Sequence, residues 1–389
     1  MRIAHFGPFD TQSYGGLLLP LIAERRLSDL CESFVHVSPG GSQPLWEDCA
    51  PTTAAVDLLR DPLRIDGVIF SGESILPHYP EAREDDTSLS LLARSGLWLT
   101  AAYVAARDGL PLCLNAPGAS EAAPEDLAQA ALLTDFTSAG ENAGEHRMDS
   151  APDLTLDVSE LWSRDELSAA YSAAFSSRGH SVPERTITFD VGAAGEDVST
   201  IASCMDRICE RAGAKPILIS LEPGGETLGL VAGQMNAAPL IIDRPRSLRE
   251  ATACIAFSED YVGSSLHGMI AACSFGKRAM LVNADEKPEA KGFLERHGLS
   301  SWAPASWSEA QRRTDELLAE PEATWERALE TASPALESHW GRIRETLGTS
   351  RERAPRRDAA SGGLEAFRAS LEENTGMLRR SSGEISALR

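Results

Sequence analysis

No stretch of this 389-residue sequence reaches the ~18 uninterrupted apolar residues that a membrane span needs. The amino terminus, Met1-Arg-Ile-Ala-His-Phe-Gly, lacks the basic segment and apolar run of an export signal and enters a strand and a glycine turn, so the expected location is cytoplasmic. Cys-x-x-Cys spacing is absent too. The seven cysteines (Cys31, Cys49, Cys113, Cys204, Cys209, Cys254 and Cys273) are an odd set scattered through apolar stretches, which reads as buried free thiols. Histidines and cysteines show no metal-ligand spacing, so neither a structural metal nor a tightly bound cofactor is expected. Positive charge is scarce: 36 Lys and Arg against 58 Asp and Glu give a net charge of -22. The body of the chain has no basic patch, which excludes nucleic acid as a partner. Anionic substrates stay open, because a few cations inside a cleft bind them locally.

What is present fits an enzyme-sized globular protein, with 42% apolar and 24% charged residues. The length predicts two domains and an appendage. Apolar runs at Arg2–Phe6, Phe34–Val37, Gly67–Phe70 and Leu110–Leu114 read as strands, with helices at Leu17–Arg26 and Leu89–Arg107 between them. After a linker at Arg178–Glu184 the alternation resumes. Strands are expected at Thr186–Val191, Pro216–Leu221, Pro239–Ile242, Tyr261–Gly263 and Ala279–Val282, and helices at Asp197–Ala212 and Leu266–Ser274. The reading is α/β: two Rossmann-like domains, residues 1–182 and 183–347, facing a central cleft. The helical segment Trp307–Leu347 is expected to close the second. Residues 348–389 form a flexible tail, linker-like at Arg351–Arg357 and carrying a short amphipathic helix over Leu364–Arg380, through which homo-oligomer or partner contact is conceivable.

The most specific segment is Tyr261-Val-Gly-Ser-Ser-Leu-His-Gly-Met-Ile-Ala-Ala-Cys-Ser-Phe-Gly-Lys-Arg-Ala-Met-Leu-Val-Asn283. It reads as a strand, a polar turn, a small-residue helix, a glycine stop and another strand. Such a turn sits where free backbone N–H groups and the helix dipole favour an anion. The segment resembles the signature of polysaccharide pyruvyl transferases: a strand, Ser or Gly, Arg-Leu-His, an alanine-rich helix and Gly-x-Pro before the next strand. Ser265-Leu266-His267 occupies the Arg-Leu-His place. At the amino terminus, Ser13-Tyr14-Gly15-Gly16-Leu17-Leu18 resembles the family's Asn-Tyr-Gly-Asp-Leu-Leu element. Gly67–Glu73 and Leu110–Gly118 parallel its next strands, with weaker matches at Phe136–Ser138, Leu156-Asp157 and Lys291–Leu299.

That resemblance implies a GT-B-like transferase for cell-surface polysaccharide biosynthesis. It would move a pyruvyl group from phosphoenolpyruvate, as co-substrate, onto two hydroxyls of a glycan acceptor. It implies His267 as the catalytic acid; the donor-binding candidates are Ser264 and Ser265 in the same turn, with Arg244 and Lys291, cations in loops at strand ends, as substitutes for the family's arginines. Tyr14, Gly15, Ser71, Gly72, Glu73 and Asn115 are the acceptor candidates, since strand-end loops collect ligands in open α/β sheets. Two departures concern anion binding. Ser265 stands in place of the signature arginine, and Asp190 and Val191 stand where many relatives carry another. Arg246 and Lys287 are further cations at strand ends. Two other readings stay open: a GT-B glycosyltransferase using a nucleotide sugar, and a catalytically degenerate relative acting as a binding or scaffold protein.

Overall fold

The computed structural model describes residues 1–11, 13–41, 46–60, 63–72, 88–115, 134–139, 149–192, 196–222, 226–283 and 288–349. Glu73, Lys287 and the tail helix expected at Leu364–Arg380 lie outside the described residues. The first half runs β1 (Arg2–Phe6), α1 (Tyr14–Arg26), β2 (Ser33–Ser38), β3 (Thr53–Ala54), α2 (Ala55–Arg60), β4 (Gly67–Ser71), α3 (Ser88–Asp108), β5 (Leu112–Asn115), β6 (Phe136–Ala139) and β7 (Asp149–Ser150). A 3-10 segment, Leu154–Glu160, and α4 (Arg164–Ser176) follow. The second half runs β8 (Thr186–Asp190), α5 (Val198–Ala212), β9 (Lys215–Ile219), α6 (Glu226–Gln234), β10 (Leu240–Ile242), α7 (Leu248–Phe257), β11 (Asp260–Gly263), α8 (Leu266–Ser274) and β12 (Arg278–Leu281). Helices α9 (Pro288–Arg296), α10 (Trp307–Arg312), α11 (Thr314–Ala319) and α12 (Ala323–Gly348) end it.

The expected alternation yields two parallel sheets, ordered β3-β2-β1-β4-β5-β6-β7 and β10-β9-β8-β11-β12. Parallel strands are covered on both faces, which explains their nearly unbroken apolar runs. Strand periodicity sorts the first sheet. Ala4, Phe6, Val68, Phe70, Leu112 and Leu114 face one core with residues of α2 and α3. Ile3, Ile69 and Cys113 face the other, which continues through α1 into the second half. Strand order reverses between β1 and β4 in one sheet and between β8 and β11 in the other. At such switch points the connections diverge to opposite faces and leave a crevice beyond the strands' carboxyl ends.

Local chemistry explains several elements that the strand–helix alternation passes over. Helix α4 opens with a capping box, Ser163 and Glu166 satisfying each other's backbone N–H. Helix α5 is capped by Asp197 and stops at Gly213 in the left-handed region. Helix α12 keeps Pro334 inside it, and its buried stripe (Trp325, Ala328, Ala332, Leu336, Trp340, Ile343 and Leu347) steps by three or four residues. Its ends dock on different halves. Trp325 Nε1 donates to the carbonyl of Ala279 beside the second sheet (3.2 Å), while Trp340 Nε1 donates to Asp157 (3.0 Å) and His339 Nε2 meets Asn115 Oδ1 of β5 (2.6 Å). The segment expected to close the second lobe therefore also returns to the first. Six of the seven cysteines are buried and Cys31 is half-buried, as the sequence predicts. No described helix is long and apolar enough to cross a membrane.

Candidate functional site

Helix α1, which follows β1 at the first sheet's switch point, lies against the start of α8, which follows β11 at the second's. Ser265 is the N-cap of α8, its hydroxyl accepting from the N–H of Gly268 (3.3 Å), and it is buried. His267 follows one turn-position later and is only half-buried, whereas Leu266 and Ile270 point into the core, as expected. A Cβ built on Gly15 would lie 2.3 Å from Cγ and Cδ2 of His267, so imidazole and α1 are in direct contact across the lobe boundary.

Beside His267, the end of β8 contributes a carboxylate. Asp190 accepts from the N–H of Leu221 and from the Ser264 hydroxyl, both at 3.3 Å, and Ser264 Oγ accepts from the N–H of Gly192 (2.6 Å). Glu222, just beyond β9, accepts from Ser13 Oγ at 3.5 Å. Glu222 was not singled out from the sequence, although it lies just past an apolar strand run, and Asp190, noted there only as standing where many relatives carry an arginine, is the last residue of β8. The turns 7–11, 190–192, 220–222 and 263–267 contain no lysine or arginine, leaving His267 as their one side chain able to carry positive charge.

The other candidates fall into different environments. Tyr14 is fully buried. Its hydroxyl shares a 2.7 Å hydrogen bond with Thr252 of α7, and burial raises its pKa far above the ordinary phenol value. Ser71 and Asn115 are buried in a polar chain: His5 Nε2 meets Ser71 Oγ (2.8 Å), Asn115 Nδ2 donates to the same oxygen (2.7 Å), and His339 closes the other end. Burial pushes His339 down to about 4, and burial with the nearby His36 holds His5 well below the usual imidazole range. Gly72 follows with φ +128°, and a Cβ there would lie 2.6 Å from Cδ of Pro8, so only glycine fits.

The donor candidates away from the turn are dispersed. Lys291 is 76% exposed on α9 and pairs with Glu295 at 3.8 Å. Arg244 is exposed just past β10, the edge strand, three strands from β11 and hence roughly 14 Å to the side at a strand spacing of ~4.8 Å. Arg246 is exposed, and its carbonyl accepts from Glu47 of the first lobe. Among the described residues, no cluster of three or more His, Cys, Asp or Glu is arranged to hold a metal.

The polysaccharide pyruvyl transferase family model matches residues 14–286. No curated protein matches the sequence. Among solved structures, MnaA of S. aureus, seen with UDP, has a TM-score of 0.54 at 11% identity, over 91% of this chain and 98% of that one. The UDP-GlcNAc 2-epimerase of Neisseria meningitidis, bound to UDP-GlcNAc, scores 0.53 at 12% identity, over 89% and 99%. UGT89C1 of Arabidopsis thaliana, complexed with UDP-L-rhamnose, scores 0.52 at 11%, over 89% and 98%. Likeness at these identities concerns the fold, which is GT-B-like.

Proposed function

The chain belongs to the polysaccharide pyruvyl transferase family, and from that premise we propose that it transfers a pyruvyl group from phosphoenolpyruvate to a hydroxyl pair of a glycan, with His267 as the acid. The observation that carries this reading is the place of His267: half-exposed at the amino end of α8, at the second sheet's switch point, and touching the first lobe. An imidazolium there donates its proton to the methylene carbon of the donor, whose central carbon becomes electrophilic. One sugar hydroxyl adds to that carbon, and the second displaces phosphate to close the ketal. Of the two hydroxyl protons released, one restores the imidazolium and the other leaves on the phosphate. General-acid help of this kind contributes roughly 10²–10⁴-fold.

The half-exposed carboxylate of Glu222 suits sugar hydroxyls, which donate to it, while the buried Asp190 fixes the turns that carry Leu221 and Ser264. The donor's anionic groups fall to the imidazolium and the positive end of α8. The place of the family's arginine is taken by Ser265, whose hydroxyl faces inward as a cap. On this reading the donor lies against the lobe of residues 183–347, and the acceptor enters from the side of the lobe of residues 1–182 to reach Glu222 with its hydroxyls.

The test is phosphate release from phosphoenolpyruvate with a glycan pool, by wild type and His267→Ala at matched folding. We expect a loss of about 10²–10⁴-fold in the variant. Equal rates would make the histidine structural. One observation favours a second reading: the turns 7–11, 190–192, 220–222 and 263–267 hold no lysine or arginine. In that reading the protein binds a glycan without transfer. A wild type that releases no phosphate, yet melts higher with glycan and unchanged with phosphoenolpyruvate, decides for it.

A further inference from the structure

Three contacts tie the first turn of α1 to the lobe that carries His267. The Tyr14 N–H donates to the carbonyl of Leu221 (3.1 Å). The Tyr14 hydroxyl bonds Thr252 Oγ1 (2.7 Å). Gly15 lies so close to the imidazole that an added Cβ would stand 2.3 Å from Cγ and Cδ2 and 2.5 Å from Nδ1. From within its own lobe the His267 turn is held from beneath. Tyr261 Oη donates to the carbonyl of Ser265 (3.2 Å) and fills the space that a Cβ on Gly268 would need.

A half-exposed histidine at a helix start ordinarily has several staggered rotamers to choose from. Here one side of the ring is occupied by backbone that carries no side chain and is itself immobilised. Tyr14, fully buried, has no route to a sugar. We propose that the first turn of α1 is a platform that fixes the His267 imidazole, so that Gly15 and Tyr14 are positioning residues of the transfer and not acceptor contacts. The platform crosses the lobe boundary, and the acid is therefore in register only while α1 is docked on Leu221 and Thr252. This inference rests on the reading of His267 as the acid, and its test reads ring orientation separately from turnover.

The full chain, labelled with ¹⁵N in histidine, is observed through long-range ¹H–¹⁵N correlations, with His267→Gln identifying the ring signals of His267. Gly15→Ala is expected to move those signals, because its methyl group and the ring need the same space. Gly16→Ala, one residue on, should leave them in place, since a Cβ there meets Ser13 Cβ at an ordinary 3.7 Å. Tyr14→Phe removes the Thr252 bond without adding volume and should produce a smaller movement of the same signals, which also covers the case of a poorly folding Gly15→Ala. If phosphate release is measurable, kcat should fall about 10²-fold in Gly15→Ala, as for an ångström-scale misplacement of a catalytic group, with KM for phosphoenolpyruvate changed less than about threefold. His267 signals unmoved in both Gly15→Ala and Tyr14→Phe overturn the platform. Signals that move in a protein without turnover uphold the fixed ring, and the transferase reading is then decided by melting with glycan and with phosphoenolpyruvate.

Discussion

The two lobes use the carboxyl ends of their strands in opposite ways. In the first, the side chains at the ends of β4 and β5, Ser71 and Asn115, are buried and spent on a chain from His5 to His339, and the adjoining loop presents Gly72. In the second, Asp190 at the end of β8 is buried as well, but the turns beyond the strands leave Ser264, Glu222 and His267 half-exposed. A strand end is thus a necessary but not a sufficient sign of a ligand contact. Where the sheet is clasped by a distant helix, the polar residues at its strand ends serve the clasp.

Breaking the clasp gives the largest expected effect on stability. Trp340 is fully buried on α12, and Asp157, which it bonds, also pairs with Arg26. Trp340→Ala is expected to cost about 3–5 kcal/mol through lost burial and a cavity, measurable by urea unfolding at pH 7.5. A change below about 1 kcal/mol would mean that α12 adds little to the first lobe, and the contrast between lobes would lose its cause.

Acid probes the same clasp. His339 is held at about 4 in the folded protein, against an unfolded value of about 6.5. The unfolded chain therefore binds the proton more readily, so stability falls as pH drops from about 6.5 toward 4. The loss is on the order of 3 kcal/mol by pH 4, and above pH 7 the effect vanishes. His5, lowered by burial, adds in the same direction. His339→Gln keeps an N–H donor for Asn115 and removes the titration, so its melting temperature should vary less between pH 7.5 and 4.5 than that of wild type. Identical pH profiles would show that His339 is not protonated on acid unfolding.

Legibility in the sequence follows the range of the interactions. Strands such as Arg2–Phe6 and the helix Leu266–Ser274 were readable because short apolar runs between glycine and polar turns are local facts. The turn at His267 was readable from its motif, and its half-exposure agrees with a crevice position. Contacts across long separations were not readable. Asn115 and His339 are 224 residues apart, and Tyr14 reaches Thr252 across 238. Neither bond leaves a mark on residue type or spacing, so Tyr14 and Asn115 looked like ligand contacts and proved buried. Helix α4 was missed although Ser163 and Glu166 stand at capping-box spacing, a local signal that its small-residue stripe obscured.

The smallest expected effect separates bonds within the second lobe from bonds between lobes. Helix α7 has two caps. Ser247, its own N-cap, accepts from the N–H of Glu250 at 2.9 Å, while Asp48 of the first lobe accepts from Leu248 at 2.6 Å and Arg249 at 2.9 Å. Replacing either with alanine should cost about 1 kcal/mol, the usual worth of a cap. Global stability alone will not tell them apart. Hydrogen exchange at the Tyr14 amide will, because that group bonds Leu221 across the boundary and is exposed when the lobes part, a local opening cheaper than full unfolding. Asp48→Ala should speed its exchange beyond what the stability loss accounts for, and Ser247→Ala should not. Equal exchange in the two variants would place Asp48 among ordinary caps and leave Tyr14 and Gly15 as the contacts that hold α1 against His267.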